Sequence, residues 1–168
     1  SKRQTYRFNE NLMEILYITY LGLLEPIPQS QVLPYLYGLS KKFEIHVVSF
    51  EKKQFRKNES GFRKTGQTLE AHGIHWYPLR YHKYPLILSS IWDIVWGTFK
   101  AARLLRRHPI SIIHARSNIP VAIGLLLKMI PVTQTPLKLL YDRRGVMGDE
   151  HVENSGWKPN GWLHRLSR

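Results

Sequence analysis

The sequence contains no cysteine in its 168 residues. This absence excludes disulfides, thiolate metal sites and cysteine nucleophiles, and it agrees with a reducing compartment. No apolar run reaches the roughly 18 residues that a transmembrane helix requires. The longest candidate, 85–99, is interrupted by Ser89, Ser90 and Asp93. We therefore expect a cytoplasmic protein, with peripheral attachment to the inner face of the cell membrane left open.

Several sequence motifs that indicate nucleotide binding, metal binding or nucleophilic catalysis are also missing. The loop after the first predicted strand holds one glycine, Gly22, so neither G-x-G-x-x-G nor G-x-x-x-x-G-K-[ST] is present. The eight histidines form no H-E-x-x-H pattern, and there is no G-x-S-x-G nucleophile elbow. The sequence thus predicts no metal site, no cofactor, no dinucleotide binding at the usual loop and no Ser-His-Asp chemistry.

What the chain has in excess is positive charge. Lys and Arg number 25 against 12 for Asp and Glu, a formal net charge of +13. Such a balance indicates a polyanionic partner, which can be nucleic acid, an anionic membrane or a phosphorylated ligand. Residues 1–12 are expected to be a polar arm or a non-native extension, and 13–168 a single domain with its own core.

Short apolar segments alternate with longer amphipathic ones along the chain. Ser30 is expected to cap the first helix with Pro34 early in it, and Ser117 or Asn118 to cap a later one. Strands that are apolar on both faces and alternate with helices are typical of a parallel sheet covered on both sides. The pattern therefore predicts an α/β, Rossmann-like doubly wound domain with a mostly parallel sheet. The predicted strands are 14–20, 44–50, 74–79, 110–115 and 137–142, and the predicted helices are 30–42, part of 52–72, 86–107 and 119–130.

Ligands of such sheets bind beyond the carboxyl ends of the strands. Three segments fall there: 21–31, 116–120 and 143–151. Amides and hydroxyls in them suit a phosphate or sugar hydroxyls, although a plain helix cap is the simpler explanation of 29–31. His114 and Arg116 should share one side of their strand, where the histidine is either structural or a ligand contact and the guanidinium needs partners. The substrate-binding candidates are Gly22, Gln29, Ser30, Gln31, His114, Arg116, Ser117, Asp142, Arg144 and Glu150.

The helix predicted at 86–107 carries both aromatic and basic residues. A helix of this kind can lie on an anionic membrane, whereas a solvated outer face on a core helix is the simpler alternative. The membrane-binding candidates are Trp92, Trp96, Lys100, Arg103, Arg106 and Arg107.

Several segments together resemble glycosyltransferase family 4. They are 15–18 with 28–36, 73–79 with 81–83, 114–120, and 141–145 running to Asp149 and Glu150; the last is similar to the family's D-x-R-G segment followed by an acidic pair. The resemblance implies one half of a GT-B fold, namely the acceptor-side domain of a retaining, metal-independent enzyme. A nucleotide-sugar donor would bind to a separate C-terminal domain, absent from these residues, so the 168-residue chain is expected to be inactive alone. The implied acceptor is a saccharide or a lipid-linked molecule, assembled into cell-envelope or exopolysaccharide chains.

The resemblance also bears on single residues. Relatives usually have paired glycines in the first loop, where this chain has Gly22 and, further on, Gln29 and Ser30. Many relatives have a second histidine at the position of Arg116, which makes Arg116, with Asp142, a catalytic candidate. Asp142 is expected to pair with Arg143 or Arg144, while Asp149 and Glu150 meet acceptor hydroxyls or cap the next helix.

Two readings from other classes stay open beside the transferase. One is a basic α/β nucleic-acid-binding module, which is supported by charge alone. No nucleic-acid motif is present, and the aromatic residues lie mostly in apolar runs where they should be core, so nucleic acid is not the expected partner. The other is a binding domain on the same fold without catalysis.

Overall fold

The computed structural model describes residues 12–82, 85–132 and 136–143. Their elements alternate between strand and helix: β1 (Glu14–Thr19), α1 (Pro26–Leu39), β2 (Glu44–Glu51), α2 (Lys53–Arg56), α3 (Glu59–Ala71), β3 (Ile74–Arg80), α4 (Leu86–Leu105), β4 (Ile110–Arg116), α5 (Asn118–Met129) and β5 (Lys138–Asp142). The strands form one sheet in the order β3-β2-β1-β4-β5, with every neighbouring pair parallel. The predicted α/β, Rossmann-like doubly wound fold is confirmed.

Helices cover both faces of the sheet because the central strands are apolar on both sides. Tyr17 of β1 packs with α1 and α3 through a cluster that includes Leu36 and Leu69. Leu16 and Ile18, on either side of Tyr17, point to the opposite face. There they meet α4 and α5 in a second cluster, which includes Ala101, Leu104, Ile123 and Leu127. The two clusters together form the core.

The start of α1 differs from the prediction. The helix begins at Pro26, not after Ser30. Proline suits a first helical position because its fixed φ is helical and its missing N–H would have no partner there. The predicted cap at Ser30 is therefore wrong: its hydroxyl lies inside the helix, 3.0 Å from the Ile27 carbonyl oxygen. Pro34 consequently lies in the helix interior and not near its start.

Helix α4 turns most of its large apolar side chains outward between residues 88 and 99. The small and polar residues Ser89, Asp93, Gly97 and Ala101, each four positions after the last, face the protein, and Leu104 and Leu105 at the end of the helix are buried. A Cβ at Gly97 would lie 2.5 Å from the Ile123 Cδ1 atom, so α4 approaches α5 too closely for a large residue at that position. The outward residues, 46–65% exposed, are Leu88, Ile91, Trp92, Val95, Trp96 and Phe99.

The expectation that the aromatic residues lie in the core is therefore wrong for α4. Trp92, Trp96 and Phe99 contact one another edge to face on the surface, with ring centroids 5.9 and 5.8 Å apart along the row. Among the described residues, no helix is both long enough and apolar enough to cross a bilayer.

Candidate functional site

A polar crevice lies where the chain order of the sheet reverses, between β1 and β4. The chain leaves β1 into α1 on one face and leaves β4 into α5 on the other. Parallel sheets leave an opening at the carboxyl ends of two such strands. Side chains from α1, β1, β4 and β5 come together at this point, so the crevice is the candidate site.

Arg116, the last residue of β4, is the central charge of the crevice. Only 5% of it is exposed. Its Nη2 donates to the Gln31 Oε1 atom across 3.0 Å, and its Nη1 lies 3.8 Å from the Asp142 Oδ2 atom. A buried guanidinium is stable only with partners for its donors. The structure thus brings together three of the predicted site residues, and Asp142 pairs with Arg116 in addition to any contact with Arg143 or Arg144.

An aromatic wall stands beside this ion pair. His114 lies two residues before Arg116 on the same face of β4, as the strand alternation predicted. Its ring contacts Tyr17 edge to face at 4.8 Å between centroids, and its Nδ1 lies 3.4 Å from the Tyr35 hydroxyl. Burial raises the pKa of Tyr17, and the neighbouring Arg116 opposes part of that rise. Tyr35, 42% exposed, is the member of this wall that reaches solvent.

Ser117 has a strained backbone at the mouth of the crevice. Its φ of 79° and ψ of 176° lie in a region that L-residues rarely adopt. The conformation aims its N–H at the Asp142 carbonyl oxygen, 3.1 Å away, and so joins β4 to β5 beyond their last paired residues. Ser117 occupies the N-cap position of α5, as predicted, but its side chain makes no capping hydrogen bond.

The loop after β1 is closed by the protein's own carboxylates. Glu51, which is fully buried, accepts hydrogen bonds from the Leu23 and Leu24 amides at 2.7 and 3.3 Å. Glu25 accepts one from the Gly22 amide at 3.0 Å. A Cβ on Gly22 would lie 2.4 Å from the Glu51 Oε2 atom, which is why this position is glycine. The amides that a phosphate could use in such a loop are therefore engaged internally.

Gln29 and Ser30 point away from Arg116. The Gln29 Nε2 atom donates to the Leu23 carbonyl oxygen at 2.6 Å and holds the same loop. Gln29 also lines a second groove of about 630 Å³ between α1 and the α2–α3 segment, together with Gln54, Asn58 and Thr65. The three residues 29–31 thus do not act as one unit, since only Gln31 reaches the guanidinium.

A carboxylate–histidine pair at the same edge of the sheet was missed in the sequence. Asp93 of α4 is fully buried and lies 2.6 Å from the His82 Nδ1 atom, just after β3. It also accepts a hydrogen bond from the Tyr20 hydroxyl at 2.9 Å. Burial and this carboxylate both raise the pKa of Tyr20. The only sequence signal was an acidic residue inside an apolar helix, which marks a residue with buried partners.

The six membrane-binding candidates divide into two groups. Trp92, Trp96, Arg103, Arg106 and Arg107 are exposed. Lys100 is half-buried and lies over the Tyr77 ring at 4.7 Å, so it faces the protein more than the surface. An apolar groove of about 490 Å³ runs between α4 and α5, with Arg103 and Arg106 at its side.

Two of the substrate-binding candidates, Arg144 and Glu150, lie outside the described residues.

Among known proteins, a similarity to this chain was found at the level of structure and not of sequence. No protein-family model matches the sequence, and no curated protein matches it. Among solved structures, the chain is similar to a glycosyltransferase from Rickettsia africae ESF-5, with a TM-score of 0.46 and 14% sequence identity. The likeness covers 84% of this chain and 34% of that protein, so the chain spans about a third of its length.

Proposed function

We propose that this chain is the acceptor-side domain of a retaining glycosyltransferase, working with a nucleotide-sugar donor on a saccharide or lipid-linked acceptor at the inner face of the cell membrane. The observation that carries the proposal is the buried Arg116, partnered by Gln31 and Asp142 at the switch point of the sheet. The sequence resemblance to family 4 supports the same assignment, because three of the segments that carry it, 28–36, 114–120 and 141–145, contribute Gln31, Arg116 and Asp142 to this crevice.

The crevice offers the groups that sugar recognition needs. Arg116 and Gln31 supply N–H donors, and Asp142 supplies carboxylate acceptors for hydroxyl groups. Tyr35 presents a half-exposed ring on which the apolar face of a pyranose can stack. In this proposal Arg116 and Asp142 orient the acceptor hydroxyl. Cations of the donor-binding domain stabilise the charge that develops on the leaving diphosphate.

Ligand binding tests this assignment without requiring turnover. Methyl glycosides of glucose, galactose and mannose serve as acceptor probes, and UDP-glucose and GDP-mannose as donor probes, in a titration followed by NMR. We expect a glycoside to shift resonances around Arg116, and Arg116→Ala to weaken its binding at least tenfold. Thr65→Ala, in the second groove, is the matched control and should bind normally. Glycoside binding that Arg116→Ala leaves unchanged would contradict the proposed site.

The same chain should not transfer sugar by itself. With each donor probe and the glycoside that binds, we expect no product above the rate without protein. Robust turnover by the 168-residue chain would refute the assignment to one half of a two-domain enzyme.

The membrane part of the proposal rests on the outward face of α4. Two of its six exposed apolar residues, Val95 and Phe99, line the apolar groove together with Leu126 and Ile130, which are 38% and 41% exposed. Exposed apolar surface of this extent marks an interaction site. Arg103, in the last turn of α4, and Arg106 and Arg107, just after its end, are exposed and select an anionic partner. Each basic residue near an anionic bilayer contributes about 1 kcal/mol, so this face fits a lipid surface.

Vesicle flotation tests this part. We expect the protein to float with vesicles of phosphatidylglycerol and phosphatidylcholine, and not with phosphatidylcholine alone. Trp92→Ala with Trp96→Ala should abolish flotation, and Arg103→Ala with Arg106→Ala should make it far more sensitive to salt. The control pair Arg63→Ala and Lys64→Ala removes two exposed charges from α3 and should float normally.

Other outcomes of the same experiment would overturn the membrane assignment. These are equal flotation of all variants, nucleic-acid binding that resists physiological salt without any lipid binding, or burial of the α4 face in a stable dimer. The last is detected by light scattering of the unmodified protein and of the double tryptophan variant.

A further inference from the structure

Three histidines and two glutamates meet at the amino-terminal edge of the sheet, opposite the crevice. Glu14 begins β1, while Glu44 and His46 lie at the start of β2. Parallel pairing sets Glu14 against Glu44 and His46 against His75 of β3. His108 joins them from the turn between α4 and β4. Neither the crevice nor the α4 face includes any of these residues, so the cluster has no part in the proposed function.

Three of these side chains converge on one point. The Glu14 Oε2 atom lies 2.9 Å from the His46 Nε2 and 3.3 Å from the His108 Nδ1. One ligand atom from each of the three residues lies within 4.8 Å of the others. Bonds of about 2.0–2.2 Å to a tetrahedral Zn²⁺ place neighbouring ligand atoms about 3.3 Å apart. We infer that Glu14, His46 and His108 bind a divalent transition-metal ion of the Zn²⁺ type, with water in the fourth position.

The burial of the cluster agrees with this inference. His46 is fully buried, and Glu14 has a side chain only 12% exposed. A cation also compensates the charge of a carboxylate held largely away from water.

A second layer of side chains holds these ligands in place. The His46 Nδ1 atom lies 3.3 Å from the Tyr77 hydroxyl, which orients the ring from its other nitrogen. Glu44 lies 4.0 Å from the His46 Nε2 and 3.1 Å from the His75 Nε2. Its carboxylate and that of Glu14 together match the charge of a dication. His108, with a side chain 32% exposed, provides the path of entry.

Such an ion would stabilise the fold. It joins the starts of β1 and β2 to the turn before β4, three segments that are distant in sequence. A ligand that binds only the folded chain raises its stability by mass action. At one hundred times the dissociation constant, the midpoint of thermal unfolding should rise by about 5–10 °C for a domain of this size.

Thermal unfolding of the chelator-treated protein tests the site directly. We expect Zn²⁺ to raise the unfolding temperature of the unmodified protein, and Glu14→Gln and His108→Gln to abolish that rise. Gln at position 14 keeps an acceptor for His46 but loses the anionic ligand. His72→Gln and Glu59→Gln are matched controls on α3, and both should keep the full response. Absence of any Zn²⁺ effect, or equal effects in all variants, would overturn the inference.

A spectroscopic readout on the unmodified protein does not depend on how the variants fold. Co²⁺ titration should give the visible absorption of a four-coordinate nitrogen–oxygen site, saturating at one ion per chain and displaced by Zn²⁺. No absorption change under these conditions would equally overturn it. Glycoside binding at the crevice should be the same with and without the ion.

Discussion

The Arg116 guanidinium donates to the Gln31 amide oxygen across 3.0 Å, although the two residues are 85 positions apart in the sequence. One belongs to a strand and the other to a helix on the opposite side of the sheet's switch point. Their contact, extended by Asp142, turns three separate segments into one polar site.

The Arg116–Asp142 pair should show a measurable coupling. Arg116 is nearly buried, whereas the Asp142 side chain is 23% exposed and 3.8 Å away, so solvent weakens the attraction. In a double-mutant cycle of Arg116→Met and Asp142→Asn, we expect a coupling of about 0.5–1 kcal/mol in the free energy of unfolding. Urea denaturation of the four proteins measures it. As a control, a second cycle combines Lys138→Met with Asp142→Asn. Lys138 lies on the same sheet without such a contact to Asp142, so this cycle should give no coupling.

The strain at Ser117 should be relieved by glycine. A non-glycine residue at a φ of 79° and a ψ of 176° costs about 1–3 kcal/mol. Replacing Ser117 with glycine relieves this strain, but the greater freedom of glycine in the unfolded chain offsets about 0.5–1 kcal/mol of the gain. We therefore expect Ser117→Gly to be more stable than the unmodified protein by about 1 kcal/mol in urea denaturation. Ser117→Ala keeps the Cβ and should show no gain; a stabilised alanine variant would show that the hydroxyl, and not the backbone, is responsible.

Two glycine positions should respond in opposite directions to alanine. At Gly22 the added Cβ would lie 2.4 Å from the Glu51 carboxylate and 3.1 Å from the Phe50 carbonyl oxygen. We expect Gly22→Ala to cost about 1–3 kcal/mol, as overpacking does. At Gly38, near the end of α1, nothing lies within 4 Å of an added Cβ. Gly38→Ala should therefore stabilise the protein by up to about 1 kcal/mol. Equal effects of both changes on the unfolding temperature would contradict this account of the first loop.

Glu51 should make stability depend on pH. Burial raises the pKa of this carboxyl, although the Ser49 hydroxyl and the Leu23 and Leu24 amides lower it in part. The unfolded chain releases the same proton near the ordinary value of about 4.3. Between the two pKa values the folded state binds more protons, so the contribution of Glu51 to stability is full below about pH 4 and is lost as pH rises.

The test of this pH dependence is a comparison between variants. The stability difference between the unmodified protein and Glu51→Gln should be greatest near pH 4 and should shrink toward neutrality. Glu59→Gln, with a side chain 80% exposed, should show no such trend. A difference for Glu51→Gln that is constant with pH would refute the assignment.

Local sequence preferences specify part of this fold, and contacts between distant residues specify the rest. The five strands and their parallel pairing were predictable from the sequence because each apolar segment and the helix that follows it form a local unit, whereas the order of the strands in the sheet came only from the structure. The start of α1 was misplaced by about one turn, since Ser30 is a good capping residue and Pro26 an equally good first residue. Local preference alone does not decide between them.

The candidate site was found in part for the same reason. Alternation along β4 is enough to put His114 and Arg116 on one face of the strand. The Asp93–His82 pair and the Glu14–His46–His108 cluster were invisible, because their members come from different elements and match no short motif. The expectation that no metal binds rested on such motifs, and the Zn²⁺ and Co²⁺ titrations of the Glu14–His46–His108 cluster test it.

The amino-acid sequence by itself determined the fold class, the carboxyl-edge location of the crevice and the strongly basic character of the protein. These three properties follow from the hydrophobic periodicity, the order of elements along the chain and the composition. Each depends either on neighbouring residues or on totals over the whole chain. Only the tertiary structure decided that Arg116 is paired with Gln31 and Asp142 and that the first loop is closed by Glu51. It also decided that α4 shows its tryptophans to solvent, because a helix face is assigned by what lies close enough to exclude water from it.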